Sequence, residues 1–199
     1  MKFITDLKDE RGSAGILVIV LLFLSFSIIV MVTSVDFFQQ VIETNRVKRD
    51  LALATHAAAM DVDKVKLAEG ILALEPLKSN ASFYNFLQKN MRLDRSNQPL
   101  PESYLLKGPV IHKLLYVDYE EGTIQPLLGD ASNCSLSDKE ITCSVVANAG
   151  TAKVTTRTIA EPLAGPSVVS VIEVEHNRFS IFAPEPIVVA DTQQVLFTY

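Results

Sequence analysis

The sequence predicts an α+β protein: a long N-terminal transmembrane and stalk helix, then short helices and a mainly antiparallel β domain. Three observations predict it. A run of 24 residues without a charge, Gly12 to Val35, lies near the N-terminus. The stretch behind it, Asp36 to Met60, holds no Gly or Pro and repeats apolar residues at three- and four-residue steps. From about residue 108 the pattern changes to short apolar runs separated by turn signals. The 199 residues then divide into a short cytoplasmic leader (1–11), a transmembrane helix (12–35), a stalk helix or helices (36–75) and an extracytoplasmic α+β domain (76–199).

Fifteen of the twenty residues from Ile16 to Val35 are Leu, Ile, Val or Phe. At ~0.3 to 0.6 kcal/mol each they favour the bilayer by roughly 5 to 9 kcal/mol. The run also has the length to cross a hydrocarbon core of ~30 Å. Its hydroxyls, Ser25, Ser27, Thr33 and Ser34, are expected to bond back to their own helix. A buried core helix is rarely apolar on every face for this long. A cleaved secretory signal is the closer rival, with an apolar region of ~7 to 15 residues behind a positive segment. Here the run is longer, Asp6, Asp9 and Glu10 cancel Lys2, Lys8 and Arg11, and Val32-Thr33-Ser34 is a poor cleavage site. A retained anchor in the bacterial cytoplasmic membrane is expected. Arg11 abuts the run, whereas the first cations beyond it are Arg46, Lys48 and Arg49, which puts the N-terminus inside and the domain outside.

Cys134 and Cys143 are the two cysteines, flanking a polar loop with Asp138, Lys139 and Glu140. Their spacing suggests a hairpin disulfide, which persists only outside the cytoplasm. Two unrelated thiols are the alternative. A metal site would need two further ligands that the surroundings do not offer. After the run the chain carries 15 Lys+Arg against 20 Asp+Glu and no Trp, a poor balance for binding nucleic acid or anionic lipid.

The helix is expected to continue past the bilayer. Val47, Leu51, Ala54, Ala58, Val62 and Val65 form an apolar stripe beside a charged face. One helix from Ser13 to Ala59 would be roughly 70 Å long. Asp61 and Asp63 are placed to cap a second helix from Val62 to Leu74, closed by Pro76. Asn80 to Met91 reads as a short amphipathic helix with Phe83, Phe86, Leu87 and Met91 on one side, and Asn97 to Pro101 breaks it.

Six to seven strands are expected beyond. Val110 to Val117 runs into a turn at Glu121-Gly122. Ile141 to Val146 and Lys153 to Ile159 flank the hairpin signal Asn148-Ala149-Gly150, the second with the alternation of a half-buried strand. Val168 to Val174, Phe179 to Phe182, Ile187 to Val189 and Val195 to Phe197 complete the set.

No constellation for catalysis stands out. His56, His112 and His176 are isolated in sequence, and no nucleophile elbow, phosphate-binding glycine loop or zinc-protease helix is written here. The acidic groups Asp118 with Glu120-Glu121, and Glu173 with Glu175, read as solvated edges. No catalytic residue, metal or cofactor is assigned.

The segment Glu10-Arg11-Gly12-Ser13-Ala14-Gly15, then the apolar run, then a long helix rich in Ala and Arg, resembles the start of pseudopilins of the TadE/TadG type. The resemblance covers about a quarter of the chain. It implies a membrane-anchored minor pilin or assembly component of a type IV pilus. It also implies cutting by a prepilin peptidase after Gly12, so that the mature chain starts at Ser13. Its partners would be membrane lipid, other pilin or secretion-system subunits and that peptidase. One position departs from the pattern: the family commonly has a Glu just inside the apolar run, where this chain has Ile16-Leu17-Val18. The expected function is therefore a non-catalytic pilus or secretion-system component. A single-pass anchored binding or assembly domain of another envelope complex is the alternative, and an anchored enzyme ranks below both. A signalling receptor is disfavoured by the roughly eleven residues ahead of the run, too few for an output domain.

Overall fold

The computed structural model of the chain describes residues 9–147, 154–176 and 185–195. It comprises two compact units, Met1–Val41 and Ile42–Tyr199. The longest element is helix α1 (Asp9–Ala59), the single helix anticipated from Ser13, begun one turn earlier. Its absence of Gly and Pro beyond Gly15 leaves the i to i−4 ladder unbroken.

In the first unit, α1 has an apolar segment none of which is buried against protein, and it is long and apolar enough to cross a membrane. Ile16, Phe23, Ile29 and Met31 are 60 to 72% exposed. The hydroxyls behave as expected from their positions. Ser25 donates to Leu21 O at 2.8 Å, Ser27 to Phe23 O at 2.8 Å and Ser34 to Val30 O at 2.7 Å. Thr33 is shared between Ile29 O and Val30 O. Each polar hydrogen is satisfied within the helix, as hydrocarbon requires.

In the second unit, Val47, Leu51, Ala54 and Ala58 of α1 are fully buried. Val62, beyond the helix, packs half-buried against the same core as expected, whereas Val65 is 72% exposed and does not extend the stripe. Nor does a helix run from Val62 to Leu74. Asp63 caps a single turn and a half, α2 (Lys64–Ala68), by accepting from the Val65 and Lys66 amides. Gly70, at φ +80°, then turns the chain out of helical geometry. The excursion closes through a bridge between Val62 and Leu74. Pro76 does not end a helix but starts α3 (Pro76–Met91), sitting at the first position, where its missing N–H costs nothing. Phe83, Leu87 and Met91 are buried as expected, joined by Ser79, while Phe86 is 43% exposed.

Among the described residues seven antiparallel strands follow: β1 (Val110–Asp118), β2 (Thr123–Gly129), β3 (Cys134–Ser137), β4 (Glu140–Ala147), β5 (Thr155–Pro162), β6 (Ser167–His176) and β7 (Glu185–Gln194). They form one sheet in the order β2-β1-β6-β7 and a smaller one in the order β3-β4-β5. The turn at Glu121-Gly122 joins β1 to β2. Strand β2 was hidden in the sequence by Pro126, which an edge strand tolerates. Its last residue, Gly129, has φ +76°, and a Cβ there would meet His112 O at 2.7 Å, so glycine is required. Strand β5 opens with four exposed residues rather than alternating. The expected strand Phe179 to Phe182, the signal Asn148-Ala149-Gly150 and most of Val195 to Phe197 lie outside the described residues.

The layers follow from side-chain alternation. On β1, Leu114 and Tyr116 face one way and Leu115 and Val117 the other; on β6, Val168, Ile172 and Val174 oppose Val169 and Val171. The first set joins α1 and α3 in the main core. The second set meets Ile141, Cys143 and Val145 of the small sheet. The large sheet is thus covered by helices on one face and by strands on the other. That is why β6 carries apolar residues on both faces, Val168, Ile172 and Val174 on one and Val169 and Val171 on the other.

The α1 stripe can be tested with one substitution made on two sides of the helix. Leu51→Ala is expected to cost about 2 to 5 kcal/mol, and Leu53→Ala, on the exposed side, less than about 0.5 kcal/mol. Urea unfolding of the full chain in detergent reads both. Equal midpoint shifts would refute this packing.

Candidate functional site

Outside the apolar segment, one group of described polar side chains lies where α1 meets the sheets. The rows that face the helix on β6 and β7 are apolar at Val168, Ile172, Val174, Ile187 and Val189 and polar at Ser170, at its register partner Asp191 and at Gln193. On α1 the stripe is interrupted by Thr55. These interruptions meet. Thr55 donates to Leu51 O at 3.0 Å or shares its hydrogen with Ser170, whose Oγ is 2.5 Å away, and both hydroxyls are fully buried. Ser170 Oγ also reaches Asp191 O at 3.5 Å. A buried hydroxyl without a partner is costly, so this pair specifies one register of helix on sheet.

Two half-buried carboxyls complete the seam. Burial pushes Asp191 above its ordinary value, against the opposing pull of Gln193, Lys48, Thr55 and His56. Burial likewise raises Glu161 of β5, with the Asp191 charge adding to it, while Lys48 and the Thr192 hydroxyl pull down. Lys48 on α1 therefore serves one carboxyl from each sheet. The Ser170 hydroxyl is buried and held by Thr55.

A second network pins α1 from the side. Tyr104 donates to Asp50 Oδ2 at 3.0 Å, and Arg46 lies 3.9 Å above the Tyr104 ring. Arg49 pairs with the buried Asp50 at 3.2 Å. Burial, then Asp50, raises the Tyr104 phenol far above its usual range. Tyr116, which donates to Leu72 O, is pushed up to about 12 by burial, Asp118 and Glu121.

Cys134 and Cys143 are bonded to each other. They lie directly opposite on β3 and β4, in the closely spaced type of pair flanked by the bond from Ser144 N to Asn133 O. The loop ahead of them is fixed by Lys113, buried on β1. Its ammonium donates to Asp130 O at 2.7 Å, to Ser132 O at 2.8 Å and to the Asp130 carboxylate. That contact holds the Asp130 carboxyl below its usual range. No protein-family model, no curated protein and no solved structure matches the chain. What the molecule does has to be read from these contacts.

Some sequence readings need correction. Glu173 and Glu175 are not solvated edges. Glu173 is 2% exposed and meets His112 Nε2 at 2.7 Å, and Glu175 forms an ion pair with Lys107 at 2.5 Å. Burying a carboxylate demands such partners, and His112 beside a bulge in β1 supplies one. Asp118 is buried too, accepting from the Glu120 and Glu121 amides in the turn, while those two glutamates are exposed as expected. Gly12 and Ser13 both fall within α1. The seam itself went unread, although a Thr within an apolar helical stripe and a Ser within an apolar strand were its signal.

Two measurements follow from these surfaces. The full chain should stay in membranes through carbonate extraction, and Leu22→Arg with Ile29→Arg should release it or abolish its accumulation, each charge costing about 2.5 to 3.5 kcal/mol at mid-bilayer. Unchanged retention of that variant would refute a spanning segment. The seam predicts a pH effect. Carboxyls raised on folding stabilise fully below their ordinary 3.8 and 4.5, and that contribution is lost as pH climbs through the raised values. Asp191→Asn should flatten the loss of thermal stability between about pH 4 and 7, by less than about 1 kcal/mol given partial solvent screening, and Lys48→Met should steepen it. Parallel curves for all three proteins would dismiss the seam as a proton-linked contact.

Proposed function

We propose that the chain is a non-catalytic, single-pass subunit of a type IV pilus or related secretion system, of the TadE/TadG kind. Its N-terminus is cytoplasmic and its β domain lies outside the bacterial cytoplasmic membrane. Its partners are lipid, other pilin or secretion-system subunits and a prepilin peptidase. The observation that carries the reading is α1. One helix begins in the motif Glu10-Arg11-Gly12-Ser13-Ala14, carries an unburied apolar segment and ends as part of a folded core. A subunit built this way can exchange lipid for neighbouring helices without refolding. In the folded unit α1 leaves Ile42 at 65% and Leu53 at 47% exposed, with Met60 just beyond it at 62%, apolar surface suited to such neighbours. The disulfide supports a location outside the cytoplasm, and Arg11 beside the apolar run supports the orientation.

A second reading is favoured by one position. Where the family commonly has a Glu, Ile16-Leu17-Val18 offers no charge to pair with a neighbour's N-terminus. An anchored assembly domain of another envelope complex needs no such charge and no processing.

The N-terminal peptide of the protein from its native host separates the two. Lys8, Asp9, Glu10 and Arg11 hold the helix end at the membrane surface, because burying any of them costs several kcal/mol. Only their removal frees the helix to rise into a bundle. The expected mature start is Ser13, lost in a Gly12→Leu variant. An intact Met1 start in cells that make the peptidase would overturn the pilin-like reading in favour of the second.

A further inference from the structure

A cleft of about 690 Å³ opens beside the C-terminal end of α3. Asn85, Gln88, Lys89 and Arg92 form one wall, at the three- and four-residue spacing of a helix face. Leu93, Leu100, Pro101 and Glu102 form the other. Its size suits a small ligand or a short peptide segment.

The second wall is a preset hairpin. Leu93 bridges to Pro99, Leu100 N donates to Arg92 O at 3.0 Å, and the Asp94 carboxylate accepts from the Ser96 and Gln98 amides. Gln88 Nε2 braces it from the helix by donating to Asn97 Oδ1 at 2.8 Å. Ser103 ties its end to Met91 O. A ligand would meet walls that need no ordering.

Charge decides what fits. Lys89 has no ion-pair partner among the described residues. Arg92 is the α3 C-cap in the left-handed region, φ 54° and ψ 59°, a position where glycine is the ordinary choice. Having arginine there sets a guanidinium at the cleft mouth. Only its Nη1 is engaged, with Glu102 Oε2 at 2.7 Å and Glu102 O at 3.5 Å, and both side chains of that pair are more than half exposed. An exposed pair of this kind is weakly held, and a guanidinium prefers a two-pronged carboxylate. Glu102 therefore occupies the place that an incoming carboxylate would take. No aromatic ring lines the cleft for a sugar to stack on, whereas Leu100 and Pro101 offer an aliphatic side chain a surface.

We propose that this cleft binds an acidic peptide segment, one carboxylate displacing Glu102 from Arg92 and a second taking Lys89, with an aliphatic side chain on Leu100 and Pro101. The site is independent of the pilus reading and stands whichever N-terminus is found.

The test uses the full chain in zwitterionic detergent at low salt and a fluorescein-labelled Leu-Glu-Glu-Leu-Glu-Glu peptide, read by anisotropy. Saturable binding is expected. Lys89→Gln and Arg92→Gly should weaken it about tenfold or more, the scale of a lost charge-assisted hydrogen bond. Glycine suits the left-handed backbone at residue 92, so the second variant keeps the fold. Glu102→Gln should instead tighten binding about threefold or more, since the internal competitor is removed. Lys64→Gln in α2 changes net charge equally and should leave affinity alone. Absence of saturable binding, a Glu102→Gln variant no tighter than the parent, or Lys64→Gln as damaging as Lys89→Gln would each overturn the proposal. So would tighter binding of a hexameric oligogalacturonate, which would assign the cleft to acidic glycans.

Discussion

Burial of Val47, Leu51, Ala54 and Ala58 against the four-stranded sheet is the contact from which the arrangement of the folded unit derives. All four belong to one core cluster with Ile172 of β6 and Val189 of β7. Apolar packing of this kind is tolerant of sliding by a turn. The Thr55–Ser170 pair is not, because another register breaks the bond between two hydroxyls inside the core. Packing thus supplies attraction and the hydroxyl pair supplies position.

Polar groups in this unit are arranged around that contact. Arg46, Asp50 and Tyr104 brace one flank of the helix, and the charge of Lys48 acts on the carboxyls of Glu161 and Asp191 on another. Away from it, Lys113 plays a local part, threading its ammonium into the loop before Cys134 so that the β3–β4 hairpin leaves the sheet at a fixed place. The buried ions each have a partner close by, which is the condition for placing them beneath the surface at all.

The sequence was most legible where one physical cause acts alone. Hydrophobic length revealed the front of α1, the three-and-four spacing revealed its buried stripe and that of α3, and an even pair of cysteines around a polar turn revealed the hairpin bond. It was least legible where causes compete. Val62 and Val65 continue the helical spacing, yet Asp61, Asp63 and Gly70 favour turns and win. Pro76 is the same residue whether it opens or closes a helix, and only the chain before it decides. Pro126 disguised an edge strand, and Glu173 looked solvated because its partner, His112, is distant in sequence. The seam around Asp191 depends on such distant meetings, and the cleft beside Arg92 on a hairpin folding back towards its own helix. Spacing along the chain does not encode them.

The strand order has a consequence for how the molecule comes into being. Val117 pairs with Ser167 and Val110 with Glu173, so β1 must wait for a segment made long after it, while β3 and β4 pair as soon as their own turn exists. Non-local closure of this sort is the slow part of folding. The helix that rests on β6 and β7 is made first of all, and during synthesis it has no sheet to lie on. For that interval its Val47–Ala58 row is an uncovered greasy edge. Premature association between nascent chains would begin there, and a holding chaperone would have its natural grip on the same row.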